Sequence, residues 1–257
     1  MKQVKGYIER KSMLYKTGVE YGDFTMNHVM GCAHGCGYPC YAFLMARRFG
    51  KVKNLTEWLE PYLVVNTLEI LDREIPRLKH LIESVQLCFT TDPFMYEYDE
   101  IASMSLAAIK MLNSYGIKCT VLTKGLLPIE LAKCSSENEY GITIISLDES
   151  YRIRVEPGAA NYENRISALK KLSDLGRRTW ASIEPYPTPN LINQDLSKLL
   201  DEIGFVDKIV FGRTNYNKQV SAFPGYKEYY NEQAHRVIDF CNQKQIQVHI
   251  KTGTLTE

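Results

Sequence analysis

Short apolar, β-branched runs alternate along the chain with longer stretches of helical period. The runs at 24–30, 85–91, 118–124, 141–147, 178–185, 208–213 and 247–251 are mostly continuous rather than alternating, as in parallel strands buried on both faces. Between them, Ile101, Met104, Ala108, Met111 and Leu112 form one helical stripe and Ile166, Leu169, Leu172 and Leu175 another, closed by Gly116 and Gly176. The order is strand then helix, repeated about six times, which predicts an α/β fold with a parallel sheet and right-handed crossovers. Such a sheet is either open and doubly wound or closed toward a barrel. The absence of a dinucleotide glycine fingerprint after every run weakens the first form.

In a barrel, chemistry gathers at the C-terminal ends of the strands. Those ends are polar here: a cysteine loop after the first, then Thr90, Thr91 and Asp92, Lys124, Ser146 with Asp148, and Glu184. No linker, low-complexity segment or 20–50-residue repeat interrupts the pattern, so residues 24–257 are expected as a single domain. Residues 1–23 are expected as an N-terminal extension, and the Tyr-rich stretch 226–230 belongs to the last connection.

Composition adds little: 45% hydrophobic and 24% charged residues suit a soluble globular chain, and a formal net charge of +1 gives no global footprint for nucleic acid or membrane. The charge is unevenly spread, however. Residues 1–53 hold nine Lys or Arg against three acids, either a solvated face or a phosphate-binding one. The start, MKQVKGYIERK, is charged where a signal peptide needs an apolar run, and no window approaches a membrane span. A cytoplasmic location is expected. There the seven cysteines stay reduced, so clustered thiols point to metal or redox chemistry.

The cluster is GCAHGCGYPCYA at 31–42, with Cys32, Cys36 and Cys40 set among glycines and a proline. Regular helical packing of buried thiols is disfavoured by those glycines, which instead let a backbone wrap around an inorganic centre. His34 could complete a Cys3His zinc set, but no second ligand pair exists, since Cys88, Cys119, Cys134 and Cys241 stand alone. An iron–sulfur cluster with three thiolates fits soft donors better and leaves one iron open for chemistry.

This loop resembles that of the radical S-adenosylmethionine superfamily. FTTDPF at 89–94, VLTKG at 121–125, ISLDES at 145–150, VEPGAANYENRISALKKLSDLG at 155–176 and SIEPYPTP at 182–189 look like its spore photoproduct lyase branch, and the likeness is strongest over 24–190. The resemblance implies a partial (β/α)6 TIM-type barrel and an enzyme that cleaves S-adenosylmethionine reductively, releasing a 5′-deoxyadenosyl radical that abstracts hydrogen from an unassigned substrate. By position it implies that Cys32, Cys36 and Cys40 ligate a [4Fe–4S] cluster and that Tyr38 or Tyr41 packs near the cluster or the adenine. Lys124 would meet the cofactor carboxylate, and Thr90, Thr91 and Asp92 its amino end. Ser146 would hydrogen-bond the cofactor, and Glu184 would lie near its ribose or the substrate. Cys88 is the non-cluster cysteine expected near the mouth, a candidate to return hydrogen to a product radical. Arg165, beside Ile166, is expected at the surface. An electron donor of flavodoxin or ferredoxin type is implied as a partner, with a lesion in nucleic acid as one substrate class.

Two departures stand out. The superfamily spacing is three residues then two, with an aromatic before the third cysteine; here it is three then three, with Pro39 before Cys40. Thr90, Thr91, Asp92 and Pro93 also stand where Gly-Gly-Glu is common. The reading from a different class is a non-catalytic zinc- or iron–sulfur-containing module whose basic N-terminal region contacts nucleic acid or a protein partner.

Overall fold

The computed structural model describes residues 1–20 and 22–256; Tyr21, inside the expected N-terminal extension, and Glu257, at the end of the expected domain, lie outside the described residues. In chain order the strands are β1 (Gly6–Ile8), β2 (Tyr15–Lys16), β3 (Phe24–Met26), β4 (Val29–Met30), β5 (Tyr62–Val64), β6 (Ser84–Leu87), β7 (Lys118–Thr123), β8 (Glu139–Thr143), β9 (Arg178–Tyr186), β10 (Lys208–Arg213) and β11 (Gln247–Ile250). The α-helices are α1 (Tyr41–Arg48), α2 (Leu55–Trp58), α3 (Thr67–Leu78), α4 (Asp99–Ser114), α5 (Glu149–Val155), α6 (Tyr162–Asp174), α7 (Leu196–Ile203), α8 (Lys218–Ser221) and α9 (Tyr226–Lys244).

The large sheet runs β11-β10-β9-β8-β7-β6-β3-β2, and its pairs are parallel except β2 with β3. Parallel neighbours need long crossovers, usually through a helix. Five of the six crossovers here contain an α-helix, while β7 to β8 uses only a 3₁₀ turn, Ile129–Lys133. Asp148, Asn161 and Asp195 cap α5, α6 and α7 by accepting a backbone N–H of the first turn. The core lies between sheet and helices, where Ile70 and Leu71 of α3 and Ile109 and Leu112 of α4 join Val85, Leu87 and Val121.

The two edges of this sheet are drawn together by Glu20, just beyond β2. Its carboxylate meets His249 Nε2 at 2.9 Å and Lys251 Nζ at 3.5 Å and accepts the Thr252 N–H at 3.3 Å, all at the C-terminal end of β11. The sheet is therefore curled into a partial α/β barrel, as the resemblance implies.

Several expected boundaries change for local reasons. The run 24–30 divides, because Asn27 and His28 interrupt the barrel strand and Val29–Met30 leaves to pair with β5 in a small sheet of order β1-β5-β4. The run 85–91 stops at Leu87, since Cys88 adopts a left-handed φ of 53°. The segment before Phe24 is built into both sheets, and Arg10 Nη1 donates to Asn27 O at 2.7 Å.

Burial alone would raise the Glu20 pKa, but the Thr252 amide, His249 and Lys251 outweigh it and hold the carboxyl below its ordinary 4.5. The Glu20 clasp is thus intact above pH 4.5 and lost as pH falls through the lowered folded value. Glu20→Ala should abolish hydrogen-exchange protection of the Thr252 amide at neutral pH while changing global stability by less than about 1 kcal/mol. Unchanged protection would show that the clasp does not hold the barrel edges.

Candidate functional site

The cysteine loop leaves the small sheet at β4 and enters α1 at Cys40. At its start the Cys32 N–H donates to Trp58 O at 2.8 Å, and at its end Cys40 is the N-cap of α1. Its middle is held by the last residue of α5 and the segment that follows. Gly37 N–H donates to Val155 O at 2.7 Å and Gly158 N–H to His34 O at 3.0 Å. Gly158 is required there, because a Cβ would overlap Ala33 O. The segment is tied in turn to the third barrel strand end, with Ala160 N–H donating to Lys124 O at 3.0 Å.

At the centre of this arrangement is Glu156, fully buried. Its Oε1 accepts the Tyr38 hydroxyl at 2.8 Å and faces Lys124 Nζ at 3.8 Å, while its Oε2 meets Arg165 Nη2 at 2.8 Å. Arg165 also donates to Ala160 O and Thr143 O, both at 2.9 Å. Burial works to raise the Glu156 pKa, yet Arg165 and Lys124 pull it below the usual carboxylate value. Burial likewise opposes charge on Lys124, but Cys36 and Glu156 outweigh it and the amine stays above the ordinary lysine value. Two cations face one carboxylate, and Lys124, with 19% side-chain exposure, is the cation of the ion network that reaches solvent. It sits 5.5 Å from the Tyr38 ring centre.

Asp92 locks the neighbouring strand ends. Its Oδ1 accepts the Phe94 N–H at 2.9 Å and the Thr123 hydroxyl at 2.6 Å; its Oδ2 accepts the Lys124 N–H at 2.8 Å and lies 3.5 Å from His34 Nδ1. The Thr90 hydroxyl donates to Asn27 Oδ1 at 3.0 Å, and Thr91 Oγ1 lies 3.4 Å from Val29 O. Ser146 Oγ accepts the Asp148 N–H at 3.0 Å, leaving its own proton to donate. Glu184 flanks Gly212 opposite Lys251 without a hydrogen bond or ion pair among the described residues, and burial raises its pKa. Tyr41, half exposed, donates its hydroxyl to Phe89 O.

One expectation is revised, and the bonds of His34 bear on the zinc alternative. Arg165 is fully buried rather than at the surface; it lies four residues before Leu169 and seven before Leu172, on the stripe that faces the core. His34 is not a fourth ligand. Its Nε2 accepts the Tyr96 N–H at 3.2 Å, which puts the ring proton on Nδ1, toward Asp92, and burial lowers its pKa to about 4, so it is neutral at pH 7. Among the described residues no three Cys, His, Asp or Glu side chains converge on a single metal ion. Cys88 has 3% exposure and packs with Val29, Leu63, Met95 and Ile101, its Sγ 3.4 Å from His28 Nδ1. Burial pushes its thiol up to about 12.

The donor set fits an iron–sulfur cluster. Cys32 and Cys40 pack against Ala42, Ala46, Val52 and Trp58. Burial raises the Cys32 thiol well above its ordinary value and pushes the Cys36 thiol up to about 11, so these two sulfurs ionise against an added positive centre. Residues 26–203 match the family model of the radical SAM superfamily, and the chain belongs to that superfamily. It is 25% identical over 189 residues to the uncharacterized protein MJ0683 of Methanocaldococcus jannaschii, covering 72% of this chain and 68% of that protein. It is 22% identical over 195 residues to the uncharacterized protein ORF301 of Acidianus two-tailed virus, covering 72% of this chain and 64% of the viral protein. Its fold is similar to that of spore photoproduct lyase complexed with dinucleoside spore photoproduct, with a TM-score of 0.68, 15% identity, and coverage of 95% of this chain and 82% of that one. Streptococcus suis SuiB bound to S-adenosylmethionine aligns with a TM-score of 0.51 and 15% identity over 70% of this chain and 40% of that one.

Arg165→Leu should cost about 3–5 kcal/mol in urea unfolding, because it strips Glu156 of its closest cation inside the wall. Combining it with Glu156→Gln should recover part of that loss; additive losses would mean that the two side chains stabilise the fold independently.

Proposed function

We propose that this protein is a radical SAM enzyme in which Cys32, Cys36 and Cys40 hold a [4Fe–4S] cluster whose remaining iron is open to S-adenosylmethionine. The observation that supports this reading best is the Glu156 network. Through Tyr38 it joins the three-thiol loop to Lys124, and its single carboxylate faces two cations, of which Lys124 is partly exposed. When bound, cluster and cofactor together supply reductive cleavage to methionine and a 5′-deoxyadenosyl radical that takes hydrogen from the substrate.

The chain's own residues bind and orient. Lys124 receives the cofactor carboxylate, held in place by Glu156 and by the Asp92 bond to its backbone. Thr90 and Thr91 meet the amino end; Asp92, whose oxygens are already shared among protein donors, favours that cation by its charge rather than by a direct bond. Ser146 donates its hydroxyl proton to the cofactor. Tyr38, inside the cluster loop, or Tyr41, just after it, packs near the cluster or the adenine. Glu184, partly buried and without a hydrogen bond or ion pair among the described residues, accepts from a ribose hydroxyl or from the substrate, with Lys251 across Gly212.

Anaerobic reconstitution should give about four iron and four sulfide per chain. Adding dithionite and S-adenosylmethionine should yield 5′-deoxyadenosine, and Ala at any of Cys32, Cys36 or Cys40 should remove both cluster and product. Zinc without sulfide, or a cluster without 5′-deoxyadenosine, would overturn the reading. Lys124→Ala should keep the cluster and weaken equilibrium binding of S-adenosylmethionine by about 10- to 100-fold, the loss of one charged hydrogen bond.

A further inference from the structure

Helix α1 begins directly after Cys40 and lies over the cysteine loop, its inner residues Ala42 and Ala46 packing with Val52 and Trp58 against Cys32 and Cys40. Its exposed positions mix apolar side chains with cations. Leu44, Met45 and Phe49 are 42, 45 and 66% exposed, and Leu55, at the start of α2, is exposed as well. Arg47, Arg48, Lys51 and Lys53 flank them in the chain, are all exposed, and make no ion pair or side-chain hydrogen bond among the described residues. The nearby acids are engaged elsewhere: Glu57 accepts the Lys53 backbone N–H at 2.7 Å, and Glu60 pairs with Lys5 at 2.9 Å.

Exposed aliphatic side chains bordered by unpaired charge of one sign are the features of a transient protein interface. The apolar centre supplies contact area, and the charged rim steers a partner of opposite sign. The position selects the kind of partner. The proposed reaction requires an electron from outside the chain, and α1 separates its exposed face from the cluster ligands by a single helix, about 10 Å across. We propose that the α1 face, Leu44, Met45 and Phe49 with Arg47, Arg48, Lys51 and Lys53, docks an acidic one-electron carrier protein that reduces the cluster. The carrier loses one electron and the cluster gains it, with no bond or proton exchanged. A nucleic acid would engage the cations and stack a base on Phe49 but leave Leu44 and Met45 without partners, so a protein is favoured. The inference rests on the functional reading above.

The test uses reconstituted holoenzyme and, as probe, the hydroquinone of an acidic flavodoxin, with reduction followed by loss of the visible absorbance of the cluster. Arg47→Glu with Arg48→Glu should slow reduction by the flavodoxin by about tenfold or more at low ionic strength and flatten its salt dependence, while reduction by dithionite is unchanged. Leu44→Ser with Phe49→Ser should weaken flavodoxin binding, measured calorimetrically, with salt dependence retained. Unchanged flavodoxin rates and affinities in both variants would overturn the proposal. Selective loss of salt-dependent binding of a single-stranded oligonucleotide, with flavodoxin reduction intact, would overturn it in favour of a nucleic-acid surface. A holoenzyme that dithionite cannot reduce would instead defeat the functional reading, and this inference with it.

Discussion

A carboxylate that never meets water, Glu156, ties together the three parts on which the site depends. It is bonded to the cysteine loop through Tyr38, to a strand end through Lys124 and to the outer helical layer through Arg165. Burying these charges is costly, and a hydrophobic replacement of similar shape would often be as stable. What the ion network adds is position. The loop carrying the thiols has few regular backbone bonds of its own, and it takes its place from the segment in which Glu156 lies. Removing one charge would therefore loosen the loop, the lysine and the helix together.

The sequence revealed the barrel and the thiol loop more clearly than the network that joins them. Continuous apolar runs such as 208–213 survive as strands because burial on both faces leaves a strong signal. The strands of the small sheet have two or three residues, too few to show a period, and escape notice. Arg165 reads as a surface cation by residue type, although its spacing from Leu169 and Leu172 places it on the inward stripe. A cation at such a position demands a buried anion, and Glu156, in the same quoted segment, supplies it. Asp92 and Ser146 stand where sequence order puts them, but their backbone bonds depend on tertiary approach, which no local pattern encodes.

The extra residue in the cysteine loop has a simple accommodation. Pro39 falls immediately before Cys40, the N-cap of α1, where no intrahelical N–H is required. The irregular spacing is absorbed before the helix starts, and Tyr38, displaced from the usual aromatic position, reaches inward to Glu156 instead of lying beside the third cysteine.

The Glu20 clasp has a further meaning for the order of assembly. Its partner Thr252 is 232 residues away, so it closes nearly the longest loop the chain can make. Such a link carries the greatest closure entropy and forms only after both sheet edges are in place. It is also held by groups near the surface rather than by core packing, which puts it at the low end of the free energies for local opening. The seam that Glu20 closes is therefore expected to open before the parallel ladders on either side of it.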